Sequence, residues 1–139
     1  MNDDGAMNPL AQQQPPFAQY LGMKITHVSP VRVTAELVAR EELNNRFGIM
    51  HGGAIMALAD NLGGTATTAN LKDGQSTTTI ESKTNFFAAI PIGDVAYAEC
   101  TALHRGRTTM VWQTRITRGD GRLCALVTQT QLVLTREKK

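Results

Sequence analysis

Between Arg46 and Lys72 the chain carries a single formally charged residue, Asp60. Every other residue of that stretch is neutral, and most are apolar or small. A carboxylate isolated in this way suggests a chemical role, as a general base or as a nucleophile. His51-Gly52-Gly53 stands shortly upstream of it. If a helix starts at Gly52, its first backbone N–H groups lack intrahelical acceptors, and its dipole favours negative charge there. The two glycines let another group come close to those donors. His51 has no partner ligands at suitable spacing, so no metal site is expected, and its expected role is to shape the loop and the helix start through hydrogen bonds.

These residues need a scaffold, and hydrophobic periodicity supplies its outline. A central helix is expected from about 52 to 70, with Ile55, Leu58, Ala59, Leu62, Ala66 and Ala69 on one apolar face. Asp60 falls on another stripe, Gly53, Met56, Ala57, Asp60, Gly63, Gly64 and Thr67. An ordinary solvent face would carry Lys and Glu, so this helix is expected to be wrapped by protein on nearly every side. Gly63 and Gly64 each cost about 1 kcal/mol relative to Ala in a helix interior. Close approach of another group would account for that cost.

Around the helix, the sequence predicts strands. Met23 to Val28 and Val31 to Ala39 precede it, separated by Ser29-Pro30; Ser76 to Phe87, Val95 to Leu103, Thr108 to Arg118 and Leu123 to Leu134 follow it. Short connections at 91–94, 105–107 and 119–121 predict that the four later strands are antiparallel neighbours in chain order. Pro16 to Gly22 predicts a short helix whose Phe17, Tyr20 and Leu21 cap the core. Residues 1–9 are expected to be a flexible tail and 10–139 one domain. The predicted class is α+β: a curved antiparallel sheet of about six strands around one long helix. Its uncovered face and edges are expected to meet another copy of the chain.

Bulk properties exclude several classes. A net charge of +2 with scattered basic residues does not suggest nucleic-acid binding. No run approaches a membrane span and the N-terminus lacks a signal-peptide pattern, so a cytoplasmic location is expected. Cys100 and Cys124 lie in strand-like runs without metal spacing and are expected to be buried thiols.

The ordered set Asn45, Gly48, His51-Gly52-Gly53 and Leu58-Ala59-Asp60 resembles the hotdog-fold acyl-CoA thioesterases, in the branch typified by phenylacetic acid degradation thioesterases. Asn85-Phe86-Phe87-Ala88-Ala89 followed by Gly93-Asp94, and then Arg105-Gly106-Arg107-Thr108, extend the resemblance over roughly residues 20 to 134. The resemblance implies a thioester carbonyl held by the Gly52 N–H and the Asn45 amide. It also implies that Asp60 of the opposing protomer activates water or attacks directly. A water-orienting hydroxyl is implied on the strand after the helix; Thr79 is the candidate, with Thr77 as the alternative. A CoA track is implied over Gly53, Phe86, Ala88 and Pro91 and over Arg105, Gly106, Arg107 and Thr108, with Arg46 a further candidate for the phosphates. No cofactor is implied beyond the CoA of the substrate. The branch forms dimers or dimers of dimers.

Blander roles stand beside these. Asn45 is equally at home as a turn residue, Thr79 as a plain strand residue, and Arg105 and Arg107 as solvated hairpin charges. Two other functions on the same fold are a non-catalytic acyl-CoA-binding protein and an acyl-thioester dehydratase or hydratase. The latter typically relies on a catalytic His and a bulky loop pattern absent here.

Overall fold

The computed structural model describes residues 8–136. The expected tail falls mostly on residues outside that range; Asn8 caps a 3-10 turn over Pro9–Ala11. Helix α1, Pro16–Leu21, starts on a proline and stops at Gly22, whose φ of 85° is a conformation that suits glycine. Strands β1, Lys24–Val28, and β2, Arg32–Val38, form the first hairpin. Helix α2 then runs over Gly52–Thr68. Strands β3 (Gln75–Phe86), β4 (Val95–Arg105), β5 (Thr109–Thr117) and β6 (Leu123–Thr135) complete the chain.

The six strands form one antiparallel sheet in the order β1-β2-β4-β5-β6-β3. Helix α2 packs across it, burying Ile55, Leu58, Ala59, Leu62 and Ala66 against Val33, Leu37, Ala98, Trp112, Ile116 and Val127. This is the α+β architecture expected from the sequence. Trp112 Nε1 donates to the Thr67 hydroxyl at 2.8 Å, and that hydroxyl donates to Gly63 O at 2.8 Å, tying α2 to β5 with both buried groups paired. No helix among the described residues is long and apolar enough to cross a membrane.

Two expectations fail. Strands β3 and β4 are not neighbours: β3 pairs with β6 at one edge, while β4 lies between β2 and β5. The segment 87–94 is a crossover, not a tight turn. Its eight residues reach up to about 26 Å, enough to cross three strand spacings of about 4.8 Å each. It is held at the start of β6 by Phe87 N to Cys124 O, 2.8 Å, and beyond β2 by Gly93 N to Ala39 O, 2.7 Å.

The second failure concerns α1. Phe17 and Tyr20 are 62% and 80% exposed, and only Ala18 of this helix is buried. Ala18 and the partly buried Leu21 are the residues that pack on the core, and Arg40 donates to the carbonyls of Tyr20 and Leu21, which adds an anchor at the C-terminal end of α1.

Within a single chain the wrapping of α2 is one-sided. One sheet covers one side of a helix, so Gly53, Met56, Asp60 and Thr68 are exposed within the chain. The small-residue stripe divides accordingly. Gly63 and Thr67 are buried against the sheet, whereas Gly64 has open space where a Cβ would be.

Candidate active site

Two groups of the expected site residues form on α2, one at its N-terminus and one midway along it. The loop before the helix is built by its asparagines. Asn44 Oδ1 accepts from Gly48 N at 3.0 Å, and Asn44 Nδ2 donates to Glu41 Oε1 at 3.0 Å. Asn45 Oδ1 accepts from Phe47 N at 2.6 Å, an Asx-type turn. Because the oxygen of Asn45 is held by the loop, its NH₂ group is left to donate outward. Asn45 is thus a turn residue and an available donor at once. Met50 N to Ile90 O, 2.8 Å, and Ile92 N to Gly48 O, 3.0 Å, bind the loop to the crossover on either side of Pro91. Pro91 itself bridges Ile49, which gives it a supporting position behind the loop.

His51 is the N-cap of α2. Its Nδ1 accepts from Gly53 N at 2.8 Å, so the neutral ring carries its proton on Nε2. This satisfies Gly53, whose N–H is no longer available to a ligand. A Cβ on Gly53 would stand 2.9 Å from His51 Nδ1, so the absence of a side chain there permits the cap. The Gly52 N–H has no hydrogen-bond partner among the described residues. A cavity of about 350 Å³ opens there, lined by Asn45, Gly52, Ile55, Phe86, Ala88 and neighbouring residues. A Cβ on Gly52 would sit 3.3 Å from the Phe86 ring.

Asp60 lies two turns further along α2. Thr79 Oγ1 donates to Asp60 Oδ1 at 2.7 Å, and Oδ2 has no hydrogen-bond partner among the described residues. Thr77 does not reach Asp60; its hydroxyl donates to Gln131 Oε1 at 2.9 Å and lies 3.0 Å from Leu132 O. Of the two threonines left open by the sequence, Thr79 is the one at the carboxylate. Both threonines lie on the inward face of β3, and a register shift follows them between Thr79 and Glu81. The bulge moves the inward-facing positions from odd numbers (Thr77, Thr79) to even ones (Thr84, Phe86), so both ends of β3 face the helix. A second cavity, about 290 Å³, is lined by Asp60, Asn61, Gly64, Thr79, Gln14 and Gln131 among others. Gln14 Oε1 accepts from Asn61 Nδ2 at 2.8 Å and helps close its rim.

The Arg105-Gly106-Arg107-Thr108 hairpin is not brought to either group in the same chain. Arg105 Nη1 donates to Asn70 Oδ1 at 3.1 Å, beyond the C-terminal end of α2. That is about 27 Å along the helix axis from Gly52 at 1.5 Å per residue. Arg105, Arg107 and Thr108 are exposed there, as is Arg46 in its own loop. Among the described residues no group of three or more His, Cys, Asp or Glu could hold a metal ion.

Gln129 and Gln131 were not singled out from the sequence, yet both are buried beside Asp60, at 0% and 1% exposure. The signal was present. Ala125, Val127, Gln129 and Gln131 alternate along one face of β6, and two amides on the inward face of a strand need partners.

Comparison with known proteins shows the family and the fold. Residues 47–125 match the model of the thioesterase superfamily. The proofreading thioesterase EntH of Cronobacter turicensis is 31% identical over 108 residues, covering 78% of each chain. The structure of a Haemophilus influenzae thioesterase superposes with a TM-score of 0.83 at 25% identity, covering 91% of this chain and 88% of its own. The Escherichia coli PaaI protein, from the phenylacetic acid degradation operon, shares the fold with a TM-score of 0.80 at 19% identity over 88% of this chain and 87% of its own. The chain belongs to the thioesterase superfamily and is a thioester hydrolase on the hotdog fold.

Proposed function

We propose that the protein hydrolyses acyl-CoA or aroyl-CoA thioesters, with each active site assembled from two copies of the chain. The observation that carries this is the separation of complementary groups on α2. The Gly52 N–H and the Asn45 amide are donors with capacity to spare, and Asp60 keeps one carboxylate oxygen unpartnered. Eight residues of helix hold Gly52 and Asp60 about 12 Å apart, too far for both to act on one carbonyl. A second copy brings its Asp60 to the first copy's Gly52. The long edge strand β3, with Ile80 and Phe86 exposed and Phe87 exposed just after it, is suited to that pairing.

In this arrangement Gly52 N–H and Asn45 Nδ2 hold the carbonyl oxygen and stabilise the negative charge that develops on it. Asp60 takes a proton from the attacking water, or attacks the carbonyl carbon itself and is released by water afterwards. Either way the C–S bond breaks, the acyl group leaves as the acid, and the sulfur leaves as CoA thiol. Phe86 and Ala88 line the approach to the carbonyl, and Arg105 to Thr108 are assigned to the CoA phosphates across the assembly.

A panel of phenylacetyl-, hydroxybenzoyl- and C4 to C16 acyl-CoA, followed by release of free thiol, tests the proposal. Turnover of at least one thioester is expected, with Asp60→Ala about 10²-fold slower or worse. Full activity in Asp60→Ala would overturn the mechanism. Tight CoA binding without turnover would identify a binding protein instead.

A further inference from the structure

We infer that Gln131 is a positioning residue for hydrolysis, acting through Thr79 to aim the only proton of that hydroxyl at Asp60. The inference rests on the reading of Asp60 as the reacting carboxylate. The polarity of the connecting network follows from its one unambiguous member. Ala59 O is a backbone carbonyl and can only accept, and Gln129 Nε2 donates to it at 2.7 Å. The Gln129 amide is therefore oriented with Nε2 toward Ala59 O and Oε1 toward Gln131, where it accepts from Gln131 Nε2 at 2.7 Å. The same Gln131 nitrogen donates to Thr79 Oγ1 at 2.6 Å, while Gln131 Oε1 accepts from the Thr77 hydroxyl at 2.9 Å.

Thr79 Oγ1 thus accepts a hydrogen bond from Gln131 and donates its own O–H to Asp60 Oδ1 at 2.7 Å. The network starts and ends on adjacent residues of α2, Ala59 and Asp60, and passes through the inward face of β6. Thr79 and Gln131 are direct cross-strand partners, so the ladder itself sets their separation. Without the Gln131 donor, the Thr79 hydroxyl is free to turn away from the carboxylate.

Gly63 belongs to the same device. A Cβ there would collide with the Gln129 amide, so glycine at this helix position is what lets Gln129 reach Ala59 O. The helix-propensity cost of Gly63 is thereby accounted for within a single chain.

The test is a double-mutant cycle on the thioester of the panel that the native protein hydrolyses fastest. Gln131→Met keeps the size of the side chain and removes the donor. It is expected to lower kcat about 10-fold or more with KM within about twofold, because ground-state binding at the Gly52 end is untouched. In a Thr79→Val background the same change is expected to cost no more than about twofold further, since Gln131 acts through that hydroxyl. Native kcat in folded Gln131→Met, or effects that multiply in the double variant, overturns the inference. If Gln131→Met fails to fold, Thr77→Val decides. Removing the hydroxyl that holds Gln131 Oε1 should lower kcat several-fold at constant KM. Unchanged kcat in that variant overturns the inference. Asp60→Asn is run alongside. If it is fully active the catalytic reading of Asp60 has failed, whereas an inactive Asp60→Asn beside a fully active Gln131→Met sinks only the role of Gln131.

Discussion

Asn45 and Asp60 share a design at the residue scale: one hydrogen bond fixes the group and leaves another atom over for a ligand. For Asp60 the fixing group is the Thr79 hydroxyl. Thr79→Val should lower kcat by about 10-fold or more, and Thr79→Ser, which keeps the hydroxyl, should restore most of it. A Thr79→Val enzyme with native kcat would make Thr79 a plain strand residue. Arg107 is exposed and remote from Gly52 of its own chain. As a phosphate contact, Arg107→Ala should raise KM for the CoA ester several-fold and leave kcat alone; an unchanged KM would leave it a solvated hairpin charge. Cys100 has a different fate. Burial pushes its thiol up to about 12, with a lesser opposing effect from the neighbouring Thr114 hydroxyl. It should resist thiol reagents at pH 8 in the folded protein and react once the chain is unfolded. Rapid labelling without unfolding would contradict that burial.

At the scale of the element, α2 is shaped by two adjacent glycines with opposite surroundings. Alanine at a helix interior normally stabilises by about 1 kcal/mol relative to glycine. At Gly63 the new Cβ would strike the Gln129 amide, so Gly63→Ala should instead destabilise by about 1–3 kcal/mol and lower Tm. At Gly64 nothing within the chain opposes a Cβ, so Gly64→Ala should raise Tm by a few degrees. Thermal unfolding of the pair, followed by circular dichroism, checks both signs. A fall in Tm for Gly64→Ala would mean that a group from outside this chain packs there. The N-terminus of α2 is equally specific. The His51 cap consumes the Gly53 N–H and leaves the Gly52 N–H, so the choice between two adjacent glycines is made by one side-chain hydrogen bond.

For the whole molecule, the proposal of a shared site makes a numerical prediction. Asp60→Asn and Asn45→Ala should each be nearly inactive alone. Unfolded together in equal amounts and refolded, they should recover roughly a quarter of native activity, because half of the random dimers carry one intact site of two. No recovery from a properly reassembled mixture would place both groups in one chain's site. Much of this protein was legible in the sequence for physical reasons. The helix face from Ile55 to Ala66 and the strand face Met110, Trp112, Thr114 and Ile116 follow from side-chain periodicity, which is local. Asp60 stood out because an isolated charge in an apolar stretch needs no partner to be noticed. Strand order was not local. Turn lengths suggested that β3 and β4 were neighbours, and only the packed sheet shows β3 beside β6, because pairing is decided by which faces can be buried together. The same pairing sets Gln131 opposite Thr79, and the placement of β3 along α2 sets Thr79 rather than Thr77 against Asp60. The sequence by itself determined a lone carboxylate on a helix that begins at His-Gly-Gly. Which hydroxyl and amides hold that carboxylate was decided only by tertiary structure, since hydrogen bonds between residues 19 and 52 positions apart depend on register and carry no sequence period.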